Sequence, residues 1–536
     1  MLFRRRFKSG RKYVKRKIKP APAAIVDGTP ARQLSDLRRQ LENADDDERA
    51  ELLEAQRPLL KSKANYVLPQ TDEVSGGDAG QEVLGYIDEA MRVAKAGIIV
   101  MGWLAHAEGA IRKTSVANSG GRLVEGRNPL TLVLRPDVTA AVRSSSFELT
   151  NDEHGFVLYF PVDNLDEREV HWHLVIEFES GAMRQIPFLL RVSPEPLDGI
   201  QRALSRLSGS DLDLGSAFAN TLGPCLEDFW AQRRASEVRQ IVLSTGDPVP
   251  NPLVSVIVPL YRRIDFVKFQ AANFSNDPDF IGESAIAEIV YVLDDPPLET
   301  DLRALCRLVH LTYGISLRVV ILSRNVGYSG ANNAGARAAR GEFLLLLNSD
   351  VLPKRTGWLS NLVDTYRGLS DCGALGCRLL FEDGSLQHAG MAFERREDLI
   401  QGAWLNRHLL KGYPASFDRT KGAVNVPAVT GACLLVRTPL YHEVGGLDEG
   451  YLVGDYEDSD FCLKLRERGF KTCYTPDVEL YHFERQSVKA TGAHYKGMPM
   501  LTLYNMWKHA KRWGSTIEGL NNQWDTIDSA LSGETK

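Results

Sequence analysis

Between about residues 82 and 195, short runs rich in Val, Leu, Phe and Ile alternate with polar positions. Leu130–Leu134, Phe156–Phe160, His171–Phe178 and Gln185–Val192 are the clearest. Alternation with a period of two buries one face and wets the other. These runs, separated by turn-rich stretches at Asn118–Gly121 and Asn151–Gly155, predict a small antiparallel β-sandwich. The pattern changes after residue 250. Val254–Val258, Glu288–Leu293, Ser316–Leu322 and Glu342–Leu347 are nearly continuous apolar runs, and Ala331–Arg340 reads as a short helix. Apolar strands separated by helices predict an α/β fold with a mostly parallel sheet covered on both faces. Residues 31–62 are charged and dense in leucine (Leu34, Leu37, Leu41, Leu52, Leu53, Leu59, Leu60), which predicts one or two amphipathic helices broken near Ala44–Asp47.

These patterns divide the chain into a basic disordered arm and linker over 1–30, a helical segment over 31–80 and a β-sandwich over 81–195. A helical linker over 196–250, ending in a proline cluster at Asp247–Pro252, leads to the α/β domain over 251–495 and a helical tail over 496–536.

Composition narrows the picture. The 536 residues are 43% hydrophobic and 25% charged, which excludes a collagen-like or mostly disordered chain and suits two to four domains. The longest aliphatic runs, such as Leu344–Leu347, fall far short of the ~20 apolar residues of a membrane helix. The net charge of −5 conceals an asymmetry: residues 1–20 hold ten Lys or Arg and no acid, so the other 516 residues sum to −15. Such an arm is usually a solvated tail; its functional reading is attachment to an anionic membrane surface. No apolar stretch follows it, so it does not read as a signal peptide. Nothing downstream supports a nucleic-acid partner. Seven cysteines, an odd number with no C-x-x-C pair, predict reduced and partly buried thiols rather than a disulfide or zinc framework. The expected location is cytoplasmic, with the arm at the inner face of the cell membrane. His171 and His173 would share one face of a strand, a pairing that without a third ligand usually marks surface residues.

In a parallel sheet, ligands bind beyond the carboxyl ends of the strands. Asp294, Asp295 and Asp350 each follow a strand at that end, and neither a G-x-G-x-x-G nor a P-loop lysine accompanies them. That favours a nucleotide bound without either phosphate loop. Residues 252–490 resemble the GT-A glycosyltransferases of family 2, in the bacterial branch with rhamnosyl- and galactofuranosyl-transferases. The resemblance rests on motifs in order: Val254–Tyr261, Asp294-Asp295, Arg324–Gly335, Asn348-Ser349-Asp350, Gly431-Ala432, Glu457–Asp460 and His482. More faintly, Gly102-Trp103, Arg135–Val138 and Gly155-Phe156 resemble an accessory β-sandwich of bacterial surface-polysaccharide proteins.

The resemblance implies a GT-A nucleotide-diphospho-sugar transferase fold and an inverting glycosyltransferase acting in cell-surface polysaccharide synthesis. Its donor would be a nucleotide-diphosphate sugar, held by Pro259, Tyr261, Asp294, Asp295, Asn325, Gly327, Asn333, Asn348 and Asp350. Its acceptor would be a glycan or lipid-linked hydroxyl met by Gly431, Ala432 and Glu457, with Asp458 as catalytic base and Asp460 structural. Asp350 and His482 would hold a divalent cation, Mg²⁺ or Mn²⁺. Asn348 stands at the first D-x-D position, where an amide can coordinate a hard cation but adds no charge. Two other readings stay open: an inactive glycan-binding or scaffold protein of the same fold, and a nucleotidyltransferase or other sugar-nucleotide enzyme.

Overall fold

The computed structural model describes residues 83–483, apart from 94–96, 107–109, 119, 127–130, 136–137, 140–152, 163–164, 166–168, 193–213 and 453, together with 494–495 and 498–524. The chain divides into two units, Met1–Glu73 and Val74–Lys536. The basic arm, its linker and the leucine-rich helical segment lie outside the described residues, as do Pro136 and Asp137.

Among the described residues, nine strands precede residue 193: β1 (Val83–Val93), β2 (Gly97–His106), β3 (Ile111–Asn118), β4 (Leu123–Glu125), β5 (Thr131–Val133), β6 (Gly155–Pro161), β7 (His171–Phe178), β8 (Met183–Leu189) and β9 (Arg191–Val192). They form two sheets, in orders β5-β6-β2-β1-β9 and β4-β3-β7-β8. All pairs are antiparallel except β1 with β9. Ile98, Val100, Phe160, Trp172, Leu174 and Ile186, drawn from both sheets, share one core. His171 is exposed and His173 half-buried on β7. Among the described residues, no group of three or more His, Cys, Asp or Glu is arranged to hold a metal.

Of the stretch expected to be a helical linker, the described residues from 214 on are helical only as far as Ala235. A helical turn at Leu214–Ala217 and a π-helical turn at Phe218–Leu222 run into helix α1 (Gly223–Ala235). Gln240–Thr245 then forms strand β10. Its run Gln-Ile-Val-Leu-Ser-Thr suits an edge strand, and β10 closes one side of the large sheet.

That sheet has eleven strands. Beyond β10 they include β11 (Val254–Leu260), β12 (Ala287–Leu293), β13 (Leu317–Leu322), β14 (Phe343–Leu347), β15 (Val351–Pro353), β16 (Cys372–Leu380), β17 (Leu386–His388) and two late strands, Cys433–Arg437 and Lys471–His482. Strands β13, β12, β11 and β14 run parallel, in that order. The expectation of a mostly parallel sheet is corrected here, because β10, β15 and Cys433–Arg437 pair antiparallel and the sheet is mixed. The cause lies in the connections. Parallel neighbours need a crossover; α2 (Phe266–Phe274), α3 (Glu299–Tyr313) and α4 (Gly327–Ala338) supply it among β11–β14, and later only β16 and the strand Lys471–His482 pair parallel. Later come α5 (Trp358–Arg367), α6 (Thr438–Glu443), α7 (Glu457–Glu467) and α8 (Met500–Trp524). Helix α4 lies so close to the sheet that a methyl on Gly335 would stand 2.4 Å from Ile257 Cγ2.

The C-terminal tail does not stand apart. Tyr504 and Trp507 of α8 pack with Phe218, Phe229 and Trp230 before the α/β domain, and with Ile99 and Tyr159 from β2 and β6. All seven cysteines are free and buried. No helix among the described residues is long and apolar enough to cross a membrane.

Candidate active site

Pro259 and Tyr261 lie at the end of β11, and Tyr261 remains 36% exposed. Asp294 and Asp295 follow β12 but behave differently. Asp294 is 3% exposed. Its carboxylate accepts the backbone N–H of Val326 (2.6 Å) and Gly327 (2.9 Å) and the Asn325 side-chain amide (2.9 Å). Burial pushes its pKa up to about 7, against those two N–H groups and the Arg233 charge, which pull it down. Asp294 therefore anchors the loop that opens α4, where Gly327 takes φ +78°. Asp295 is half-buried and accepts the Arg262 N–H at 3.2 Å.

Beyond β14, the Asn348 N–H reaches Ala432 O at 3.0 Å, joining this turn to the Gly431-Ala432 turn. Gln270 supports it from beneath, donating to the carbonyls of Asn348 (3.0 Å) and Val351 (3.2 Å) while accepting the Tyr291 hydroxyl. Asp350 Oδ1 and His482 Nε2 stand 3.5 Å apart, both residues under 10% exposed. Two ligands of one ion, each ~2.1 Å from it, lie roughly 3–3.5 Å apart. Asn348 Oδ1 and His482 Nδ1 are buried without a protein partner. The set is too small for a closed cage. It suits a hard cation whose remaining positions are filled by substrate oxygens and water.

Glu457, Asp458 and Asp460 occupy the first turn of α7, where the helix dipole favours negative charge. The chain enters that turn through Gly454 (φ 138°), Asp455 (φ 136°) and Tyr456 (φ 75°). Positive φ at two non-glycine residues costs on the order of 1–3 kcal/mol each. Asn505 of α8 offsets part of this by donating to the carbonyls of Leu452 and Asp455 and accepting the Leu452 N–H, at about 1 kcal/mol per bond.

Asp458 is half-buried, and its carboxylate accepts the N–H of Gly431 (3.0 Å) and Ser459 (2.7 Å). Its pKa is raised by burial, with these N–H groups and the Thr430 hydroxyl opposing. Glu457 is 4% exposed, and burial, then the charge of Asp458, push its pKa up to about 8. Asp460 faces inward and accepts from Trp513 Nε1 (2.8 Å) and Arg512 (3.0 Å) of α8. It ties the helix to the C-terminal tail.

Asn333 also turns inward. Its amide donates to Leu447 O and Glu449 and accepts the Tyr441 hydroxyl and the Leu447 N–H. The site contains residues that spacing did not single out. The Tyr328 hydroxyl donates to Gly431 O at 2.8 Å, linking the Asp294-anchored loop to the Asp458 side. His388 is fully buried, its Nδ1 lies 3.1 Å from that of His408, and its Nε2 has no partner. Burial first, then the neighbouring His408 and His482, hold its pKa well below the ordinary range. Arg262 and Arg263, directly after Tyr261, place cations at the strand ends. Only the doublet itself could have signalled them.

The α/β domain thus carries acid-bearing strand ends, a carboxylate–imidazole pair and a helix headed by acids. Residues 250–493 match the family described as "Glycosyltransferase like family 2". It is 32% identical over 243 residues to the uncharacterized protein y4gI of Sinorhizobium fredii, covering 44% of this chain and 25% of that protein. It is 34% identical over 165 residues to the O-antigen biosynthesis protein RfbC of Myxococcus xanthus, 30% of this chain and 12% of the relative. With the pre-mycofactocin glycosyltransferase of Mycobacterium tuberculosis it shares 29% over 163 residues, 30% and 31% of the two chains. The match thus spans less than a third of each of these relatives. Solved structures with some likeness include GalNAc-T7 with UDP, GalNAc and Mn²⁺ (TM-score 0.38, 16% identity, 52% of each chain). Another is the mannosyltransferase PcManGT of Pyrobaculum calidifontis with GDP-Man and Mn²⁺ (TM-score 0.31, 18% identity, 63% and 85%).

Proposed function

We propose that this protein is an inverting glycosyltransferase. It moves a sugar from a nucleotide-diphosphate donor to a hydroxyl of a glycan or lipid-linked acceptor in cell-surface polysaccharide synthesis. The observation that carries the reading is the pairing, across the Asn348–Ala432 contact, of the Asp350–His482 pair with Asp458 at the head of α7. The name of the RfbC relative supports the polysaccharide context.

Asp458 takes the proton of the acceptor hydroxyl as its oxygen attacks the anomeric carbon. The bond from that carbon to the β-phosphate oxygen breaks, the nucleoside diphosphate leaves with the electron pair, and the anomeric centre inverts. Of the other acids at the head of α7, Glu457 is buried with its pKa pushed up to about 8 and Asp460 is committed to α8, so neither stands ready as a covalent nucleophile. Asp350 and His482 would hold Mg²⁺ or Mn²⁺, with Asn348 Oδ1 beside them. When bound, such an ion supplies positive charge to the leaving diphosphate. Tyr261, Asp295, Arg262 and the 325–327 loop frame the nucleotide.

Incubation with a panel of nucleotide sugars, with and without a lipid-linked glycan fraction, tests the reading. Release of free nucleoside diphosphate that rises with acceptor is the expected result. Release of pyrophosphate would instead mark a nucleotidyltransferase. Absence of turnover with every donor would leave the inactive scaffold.

The ten cations of residues 1–20 attach the protein to anionic lipid, where lipid-linked acceptors are presented. With a Debye length of ~8 Å at physiological ionic strength, this attraction is screened by salt. The full-length protein is expected to co-sediment with phosphatidylserine vesicles at low salt and to be released at high salt. A chain beginning at Ala21 should stay in the supernatant and keep its activity on a free acceptor. Equal sedimentation of both would remove the arm from the mechanism.

A further inference from the structure

The family match begins at residue 250, yet helix α1, which ends fifteen residues earlier, is fastened to the donor loop. Arg233, in the last turn of α1, donates from its guanidinium to Asn325 O at 2.6 Å. Arg324 answers in the opposite direction, donating to the carbonyls of Arg233 (2.6 Å) and Ser236 (3.1 Å), which lie at the end of the helix. Asn325 is the residue whose side chain reaches Asp294, and its neighbours Val326 and Gly327 give their N–H groups to the same carboxylate.

The loop is thus gripped from two sides, by Asp294 beneath and by α1 at its flank. Arg233 cannot easily leave this position. Its guanidinium lies 5.5 Å from the Trp230 ring and 6.0 Å from the Phe229 ring, a cation–π contact that fixes its direction. The helix behind it is equally constrained: Phe218 stacks on Trp507 at 5.9 Å, and Glu227 pairs with Lys511 of α8.

We infer that Arg233 is a positioning residue for the nucleotide-binding loop Arg324–Gly327, so that the donor site is completed by a helix outside the family-matched segment. The inference rests on the donor-site reading above and deepens it. It predicts that donor affinity depends on a side chain that never touches the donor.

The test uses the full chain and the variants Arg233→Ala and Arg233→Lys. Calorimetry with UDP, GDP, ADP and dTDP identifies the nucleoside diphosphate that the wild type binds. Arg233→Ala is expected to weaken that binding by about 10-fold or more, since a charge-assisted hydrogen bond is lost. The donor KM should rise while kcat at saturating donor stays within about threefold. Lysine restores part of the affinity, because an ammonium can donate to Asn325 O but lacks the planar fork. Hydrogen exchange gives a readout that needs no ligand: peptides covering 324–328 should exchange faster in Arg233→Ala while the β11–β14 core keeps its protection. If Arg233→Ala does not fold, Arg233→Lys carries both measurements. Unchanged affinity together with unchanged exchange in a folded variant overturns the inference. A wild type that binds no nucleotide while the exchange still responds would refute the donor reading and keep the brace.

Discussion

Asp458→Asn lowers kcat by about 10²–10⁴, the usual worth of a positioned acid–base group, and leaves nucleoside diphosphate binding near wild type. Asparagine keeps the size of the side chain, and its one oxygen can still accept the Gly431 N–H at the expense of the Ser459 bond, so the acceptor turn should not collapse. What is lost is basicity. The pH profile sharpens the assignment. Burial raises the pKa of Asp458, so the acid limb of kcat/KM should lie above the ordinary carboxylate value of about 4. Activity is lost as pH falls through that limb, because the protonated acid cannot take the acceptor's proton. Glu457, pushed up to about 8, is already protonated across the limb and contributes no charge to it. Glu457→Gln should therefore keep the limb where it is and alter mainly the acceptor KM. If Glu457→Gln abolishes the limb, or Asp458→Asn turns over at the wild-type rate with saturating acceptor, Glu457 is the base.

Where a buried parallel strand dictates its own sequence, the fold was legible. Val254–Leu260, Ala287–Leu293, Leu317–Leu322 and Phe343–Leu347 are apolar at nearly every position, Ser255, Glu288 and Arg318 excepted, because both of their faces are covered. Strand β10 was not legible, because an edge strand with both faces partly wet has no burial pattern to betray it. Strand direction was equally hidden: Cys433–Arg437 is as apolar as β14, and only its pairing shows that it runs antiparallel. At the site, sequence order finds the strand ends but not the direction of side chains. Adjacent Asp294 and Asp295 face opposite ways, one into the chain and one outward. Asn333 sits inside a glycine- and asparagine-rich motif, yet its amide is spent on the 447–449 loop. Long-range contacts leave even less trace. Asp460 to Trp513, Asn505 to Asp455 and Arg233 to Asn325 join segments about 50 to 92 residues apart, and no local spacing encodes them.

Asp350→Ala and His482→Ala should each weaken the metal-dependent part of nucleoside diphosphate binding by at least ~10-fold, the lower range seen when even outer-shell partners of a metal are removed. The expectation is steep because the site is short of charge. Asn348 brings an amide where a carboxylate would bring a full negative charge, so Asp350 is the single anion of the set. Losing it leaves one imidazole and one amide oxygen, too few to compete with water for Mg²⁺, which dehydrates reluctantly. The reverse change follows from the same reasoning. Asn348→Asp places a second carboxylate beside Asp350 and should tighten Mn²⁺ binding, because its side-chain oxygen now stands buried and unpartnered in the right place. Calorimetry with Mn²⁺ and the nucleoside diphosphate, repeated in EDTA, reads all three variants. Two alanine variants that bind as the wild type does would leave Asp350 and His482 as a structural pair joining β15 to the strand Lys471–His482, whose backbones already meet at Val351 and His482. The leaving diphosphate would then have to be neutralised by protein cations alone; of the doublet after β11, Arg263 is already paired with Asp265, which leaves Arg262 as the candidate.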